Sequence, residues 1–154
     1  MENEILAKAL EKASENIDCN SDIVEDAKQT LEYYLECKDE LVLYLQTLNK
    51  LNDAYEKFEE YYKNAKYVPE GFMHFMDEIG DWLDDIDDYD REYETLILAT
   101  DNDGYYIAID AEGNLVFYSK GFVNKRYYVL IDANGNVSDD TEAWEYFLKT
   151  HIPS

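Results

Sequence analysis

The sequence predicts an α+β fold in which helices come first and an antiparallel sheet follows. Apolar residues recur at three- and four-residue steps through roughly the first 88 residues, the period of helices that bury one face. After Asp90 the period changes to two, and β-branched and aromatic runs alternate with turns rich in Gly, Asn and Asp. With 154 residues, 46% of them hydrophobic, the chain can bury a core in spite of a net charge of −23.

The N-terminal part of the chain is predicted to be a helical block, either a helical hairpin or one long helix. Residues 3–17 form a first amphipathic helix, and residues 22–65 contain neither Gly nor Pro. One helix over the second stretch would span about 65 Å, so a break near Cys37 that divides it into two helices is an equal alternative. We assign residues 1–66 to a helical region and residues 67–154 to an α+β region, and expect one continuous globular unit.

An amphipathic acidic helix is predicted over residues 69–88. Pro69 suits the first turn of a helix, where no backbone N–H is needed. Apolar residues recur at i, i+3, i+4 and i+7 and form one face of this helix: Phe72, Phe75, Met76, Ile79, Trp82, Leu83 and Ile86. Aspartates occupy the opposite face. The pattern therefore predicts a helix with its apolar side in the core and its acidic side in water.

Four strands and a short C-terminal helix complete the predicted fold. The strands cover residues 95–100, 105–109, 115–119 and 126–131 and form a four-stranded antiparallel meander. Gly-Asn pairs at residues 113–114 and 135–136 are typical of the turns that separate or end such strands. Asp139 and Glu142 can start the final helix, which carries Trp144, Phe147 and Leu148.

The uneven distribution of charge is the main indication of function. Residues 66–94 carry 11 acids and 2 bases, and this net −9 equals the balance of the first 65 residues, which carry 16 acids and 7 bases. Ten of the carboxylates lie between Asp77 and Glu94. Nine members of that run are the predicted partner-binding residues: Asp77, Glu78, Asp81, Asp84, Asp85, Asp87, Asp88, Asp90 and Glu92.

The spacing of these carboxylates approximates the charge spacing of a nucleic acid. Carboxylates three or four residues apart on a helix lie about 4.5–6 Å apart along its axis, and a DNA strand carries a phosphate about every 3.4 Å. A carboxylate also accepts a bidentate arginine, as a phosphate does. We therefore predict a non-catalytic inhibitor that mimics nucleic-acid charge and blocks a basic, nucleic-acid-binding protein, a nuclease of a CRISPR or restriction type of defence system.

Enzymatic activity and direct nucleic-acid or membrane binding have little support. Nucleic acids and anionic membranes attract Lys and Arg, and this chain has 13 of them against 36 acids. The two histidines, His74 and His151, are not paired with a nucleophile, and no nucleophile elbow, phosphate loop or zinc motif is present. No catalytic residue and no cofactor are expected.

Metal binding and disulfide formation are not expected either. Residues 132–136 begin like a calcium loop, but Val137 and Ala143 stand where the EF-hand pattern needs Gly and Glu. Cys19 and Cys37 form neither a disulfide framework nor a metal-ligand spacing, and two reduced thiols are expected. The N-terminus lacks the pattern of a signal peptide, so we expect a cytoplasmic protein.

Two resemblances bear on function. In charge, size and lack of catalytic residues the chain resembles phage-encoded DNA mimics, including anti-CRISPR and anti-restriction proteins, a group that shares physics rather than sequence. Within residues 67–150, the segments YVPEGFMHFMDEIGD, LATDNDGYYIAIDAEGNLVFYS and AWEYFLKT resemble, by analogy, the SUKH immunity superfamily, whose members often have a Pro-led helix, a Gly-Asp-rich strand pair and a closing aromatic helix.

These resemblances leave two alternative functions open. The likeness to the immunity superfamily implies a protein that neutralises a cognate toxin, with shape and tyrosine anchors as important as charge. The helical block permits a second alternative, an adaptor protein that forms a homodimer through its N-terminal helices.

Overall fold

A computed structural model describes residues 2–14, 21–101, 104–120 and 125–150 of the chain. Helices come first, and an antiparallel sheet and a closing helix follow, which confirms the predicted α+β fold. The helices are α1 (Glu2–Ser14), α2 (Ser21–Asn64), α3 (Glu70–Asp84) and α4 (Thr141–Thr150). The strands are β1 (Tyr89–Asp90), β2 (Thr95–Thr100), β3 (Tyr105–Ile109), β4 (Leu115–Ser119) and β5 (Arg126–Ile131), and they lie in the sheet in chain order.

The sheet has five strands where the sequence predicts four, and the acidic helix is shorter than predicted. α3 ends at Asp84, because the chain must then turn to bring Tyr89, which is 6% exposed, to the edge of the sheet. There β1 pairs with β2 through two residue pairs, Tyr89 with Leu96 and Asp90 with Thr95. Two residues are too few to show an alternating pattern, so this strand left no signal in the sequence.

The first residue of α3 and the capping residue of α4 each differ from the prediction by one position. Pro69 precedes α3 as its N-cap, and its carbonyl accepts a hydrogen bond from the Phe72 N–H at 3.0 Å. At α4 the capping residue is Asp140 rather than Asp139, since Asp140 Oδ1 accepts the N–H of Glu142 at 3.0 Å. Asp139 instead forms an ion pair with Lys12 of α1 at 3.3 Å. Residues 15–17 of the predicted first helix lie outside the described residues.

The long stretch after α1 is one helix rather than two. α2 has 44 residues and is therefore about 66 Å long. Different parts of it pack on different elements: α1, the strands β2 and β3, and α3. Leu31, Tyr34, Leu45 and Leu48 are each at most 3% exposed, so α2 is buried on both sides of the predicted break at Cys37. Tertiary packing of this kind stabilises a helix far longer than average.

Side chains of α2 bind the two turns that follow β3 and β5. The Tyr34 hydroxyl donates to the Gly113 carbonyl at 2.6 Å, and Lys38 Nζ donates to the Ala133 carbonyl at 2.5 Å. Gly113 has a φ of +98°, and a Cβ there would lie 3.1 Å from Lys38 Cε. The positive φ therefore favours glycine in this turn, and a Cβ there would also press on the Lys38 side chain of α2.

The two faces of the sheet carry separate aromatic clusters. The inner face lies against α2 and α4 and joins α1 in one buried core. On this face Phe117 stacks with Tyr146 of α4 at a centroid distance of 5.6 Å. On the outer face Tyr118 stacks with its register partners Tyr106 and Tyr127 at 5.3 and 5.9 Å. Aromatic residues therefore stabilise the sheet on both faces.

Replacing Tyr34 with Phe is expected to lower the free energy of unfolding by about 1–3 kcal/mol, because the buried Gly113 carbonyl loses its donor. Urea denaturation followed by circular dichroism measures this change. The neighbouring Tyr33 is 49% exposed, so Tyr33→Phe serves as the control and should change the free energy by less than about 0.5 kcal/mol. Equal effects of the two substitutions would show that the hydroxyl of Tyr34 does not hold the turn.

Candidate protein-binding surface

α3 packs against the C-terminal part of α2 through one side. Phe72 lies edge-on to Phe58 of α2 at a centroid distance of 6.0 Å. Gly80 faces Tyr55 so closely that a Cβ on Gly80 would lie 2.8 Å from the Tyr55 hydroxyl oxygen. Leu83 is 1% exposed. Because α2 covers this side, the opposite side of α3 faces solvent.

Seven of the nine predicted residues form an exposed acidic row on α3 and in the turn after it. These residues are Asp77, Glu78, Asp81, Asp84, Asp85, Asp87 and Asp88. In the described part of the chain, Arg91 forms an ion pair with one of them, with Nη1 2.5 Å from Asp84 Oδ1, and His74 Nε2 lies within hydrogen-bond distance of another, 3.0 Å from Glu78 Oε1. The acidic row therefore presents a dense negative charge to solvent.

Asp90 differs from the other predicted residues because its side chain is buried. It is 5% exposed, and its Oδ2 accepts hydrogen bonds from Lys120 Nζ and from the Tyr118 hydroxyl, both at 2.7 Å. Its Oδ1 accepts the backbone N–H groups of Glu92 and Tyr93 at 3.1 and 3.2 Å. Burial alone would raise the pKa of Asp90, but the hydrogen bonds from Lys120, Tyr118 and Tyr93 hold that pKa below its ordinary value. Asp90 thus connects the turn after β1 to β4.

Lys120 balances the charge of Asp90 and part of that of Glu92. Its Nζ lies 3.6 Å from Glu92 Oε2 and over the rings of Tyr93 and Tyr106, at 5.1 and 5.6 Å from their centroids. Burial acts to lower the pKa of Lys120, but the hydrogen bond to Asp90 and the charge of Asp90 raise it overall. Glu92 stays exposed, so it flanks the acidic row as a carboxylate with a nearby cation.

Two aromatic residues that the sequence places in the core lie beside the acidic row. Phe75 is 55% exposed and Trp82 is 51% exposed. On a helix that turns about 100° per residue, they lie about 20° apart, and Glu78 and Asp85 lie about 40–80° from them. At this point α3 packs against α2, and α2 does not cover all the apolar residues of α3. The sequence carries no signal for this exposure, because apolar spacing shows which residues share a face and not how much of that face a neighbouring element covers.

The turn at residues 132–136, which begins like a calcium loop, is closed by its own hydrogen bonds. Asp132 Oδ1 accepts the N–H groups of Asn134 and Asn136, each at 2.9 Å, and its Oδ2 accepts Asn136 Nδ2 at 2.9 Å. Asp110 makes the same three kinds of hydrogen bond in the turn after β3. These bonds lower the pKa of Asp132, with the bond from the Asn136 side chain as the main cause. Both carboxylates therefore act as turn-forming groups.

Replacing Asp90 with Asn is expected to destabilise the protein by about 1–3 kcal/mol at pH 7, because Lys120 loses its buried partner. The folded chain holds the pKa of Asp90 below the unfolded value, so the unfolded chain binds more protons as the pH falls. The contribution of the carboxylate is then lost below about pH 4. Urea denaturation at pH 7 and pH 3 should show the difference between wild type and Asp90→Asn shrinking at the lower pH.

The exposed Asp87 provides the control for this pH dependence. Asp87→Asn should change the free energy of unfolding by less than about 0.5 kcal/mol at either pH. A difference between wild type and Asp90→Asn that stays constant from pH 7 to pH 3 would contradict the stabilising role of the Asp90 charge.

Comparisons with known proteins give no relative for this arrangement. No protein-family model, curated protein or solved structure matches the chain. Within the described residues, no group of three or more His, Cys, Asp or Glu side chains is placed to hold a metal ion. None of the described helices is both long enough and apolar enough to cross a membrane.

Proposed function

We propose that this protein is a non-catalytic inhibitor that binds a basic, nucleic-acid-binding protein, a nuclease of a defence system, and blocks its nucleic-acid site. The observation that carries the proposal is the acidic row, in which seven carboxylates within 12 residues are exposed together, from Asp77 to Asp88. A row of like charges destabilises its own helix. A positively charged partner that binds the row would offset this repulsion.

The geometry of α3 suits Lys and Arg side chains that otherwise hold phosphates. On α3, Asp77, Asp81 and Asp84 follow one another at four- and three-residue steps, about 4.5–6 Å apart along the helix axis. Asp88 continues the row in the turn after the helix. Each carboxylate can accept two parallel hydrogen bonds from one guanidinium. The negative field should also steer a basic partner toward α3 and raise the association rate.

The exposed aromatic pair favours a protein as the partner. Trp and Arg are the residues that most often dominate the energy of protein interfaces, and Trp82 is half exposed beside carboxylates that attract arginine. An arginine of the partner can stack on the Trp82 ring while it approaches Asp85. Dissolved counter-ions would neutralise the carboxylates but would gain nothing from this apolar surface.

The exposed Phe75 and Trp82 also fit a second candidate function, in which the chain is an immunity protein that binds a cognate toxin. In that complex the apolar contacts would carry the affinity, and salt would weaken it little. The homodimeric adaptor has less support, because α1 and α2 pack against each other and against other elements of their own chain.

The test compares two variants with equal changes in charge. In the first, Asp77, Asp81, Asp85 and Asp88 become Asn, and Asp84 is kept because it binds Arg91. In the control, exposed acids of α2 are neutralised instead: Asp22, Asp26 and Asp39 become Asn and Glu40 becomes Gln. Both variants and the wild type are tagged and used to capture partners from the native host lysate, and the captured protein is purified for titration.

Binding through the acidic row should weaken at least about tenfold in the α3 variant and less than about threefold in the control. Most of the affinity for wild type should be gone at about 0.5 M salt, and added DNA or RNA should displace the captured protein. Equal affinities of the two variants would exclude α3 as the site. A partner that persists at high salt and ignores nucleic acid would establish the immunity function instead.

A further inference from the structure

A cavity of about 340 Å³ lies between α2 and β2, at the end of the acidic row. Its walls are Tyr33, Leu41 and Tyr44 of α2, Leu96 and Leu98 of β2, and Ile86 from the turn after α3. The register of β2 against β3 shifts between Ile97 and Ala99, which leaves Leu98 as an extra residue of a bulge. Bulges re-aim side chains and bend a strand, and this one lies where the strand borders the cavity.

The lining of the cavity combines apolar side chains with the polar groups of Tyr33, Tyr44 and Asp88. Tyr33 and Tyr44 are 49% and 45% exposed, and the adjacent Leu43 is 67% exposed. Neighbouring exposed apolar and aromatic side chains mark interaction surfaces more often than isolated ones do. Tyrosines at the rim of a pocket provide rigid contact area and lose little conformational entropy on binding.

Asp88 supplies the charge at the rim of the cavity. It is the last residue of the acidic row and lines the cavity together with Ile86. The Ile97 N–H donates to the Asp88 carbonyl at 2.7 Å, so the backbone that carries this carboxylate is tied to β2. A ligand that enters the cavity therefore meets apolar and tyrosine side chains together with the carboxylate of Asp88.

This combination points to one kind of occupant. We infer that the cavity receives a single large apolar side chain, such as Trp, Leu or Met, that is flanked by Lys or Arg in the basic partner. The inference rests on the proposed function, since it assumes that a basic protein binds the acidic row. A second copy of the chain fits poorly, because it would bring another −23 charge toward Asp88.

The apolar flank of α3 leads toward the cavity. Phe75 and Trp82 lie on this flank, and Ile86, four residues after Trp82, is a wall of the cavity. A partner held along α3 by its Lys and Arg residues would thus have an apolar side chain in position to enter. Burial of that side chain would slow dissociation, which charge alone does little to change.

The experiment uses two labelled peptides, acetyl-Lys-Arg-Trp-Arg-Lys-amide and the same peptide with Ser in place of Trp. Fluorescence anisotropy measures the affinity of each for the full chain at one ionic strength. Both peptides carry the same charge, so the ratio of their affinities reports the apolar anchor. We expect the Trp peptide to bind at least about tenfold more tightly, in line with the burial of a large apolar side chain.

Matched variants locate the anchor. The combined substitutions Tyr33→Ser and Tyr44→Ser should reduce the ratio of the two peptide affinities below about threefold. The control combines Tyr61→Ser and Tyr67→Ser, because these tyrosines are 71% and 82% exposed and do not line this cavity. The control should leave the ratio unchanged. Asp88→Asn should weaken both peptides and keep the ratio. A urea transition of each variant confirms that it is folded.

The outcomes separate the cavity from the proposed function. Equal affinities of the two peptides would overturn the inference and leave the charge-based function standing. A ratio that survives in the Tyr33 and Tyr44 variant would also overturn the inference, because the anchor would then bind elsewhere. If neither peptide binds, the inference fails, and the competition assay with the captured partner decides the proposed function independently.

Discussion

The attachment of α2 to the turns of the sheet is the constraint on which the rest of the structure depends. Tyr34 and Lys38 bind the carbonyls of Gly113 and Ala133 from one helical turn of α2, and this fixes the helix against the sheet near its first third. This attachment also sets the direction in which the remainder of α2 runs relative to the sheet. That remainder forms one wall of the cavity with Leu41 and Tyr44 and, further along, the support on which α3 lies.

The few cations near the acidic row keep the fold together and leave the surface negative. Arg91 joins Asp84 of α3 to Asn52 of α2, with its Nε donating to Asn52 Oδ1 at 3.0 Å, and Lys120 joins Asp90 to β4. Both cations lie where elements meet. The carboxylate of Asp90 is removed from water there, so its pairing with Lys120 matters for stability, whereas Asp84 stays exposed. The exposed face of α3 has no such structural need for cations. Its charge is therefore best understood as a property of the surface rather than of the fold.

Periodicity alone predicted the elements that are long enough to repeat a pattern. α3 and the four longer strands follow from apolar spacing, whereas β1 has two residues and no pattern to show. The burial of Asp90 could not be predicted from the sequence either, because Tyr118, which binds it, lies 28 residues further along the chain. The exposure of Trp82 could not be deduced for a similar reason, since a helical wheel shows which residues share a face and not how wide its neighbour is. In each case the missing information is the identity of a partner distant in sequence.

In the complex that we propose, two kinds of surface would contribute to binding. Long-range attraction falls off within about 10 Å at 0.1 M salt, so the acidic row would act mainly on approach and set how quickly a basic partner is captured. Trp82, Phe75 and the cavity beside Asp88 would act at contact and set how slowly the partner leaves. Because Asp88 belongs to both surfaces, a partner guided by charge would arrive with its basic residues next to the cavity. Selectivity among basic proteins would then follow from which of them carries an apolar side chain between those residues, which charge mimicry alone would not provide.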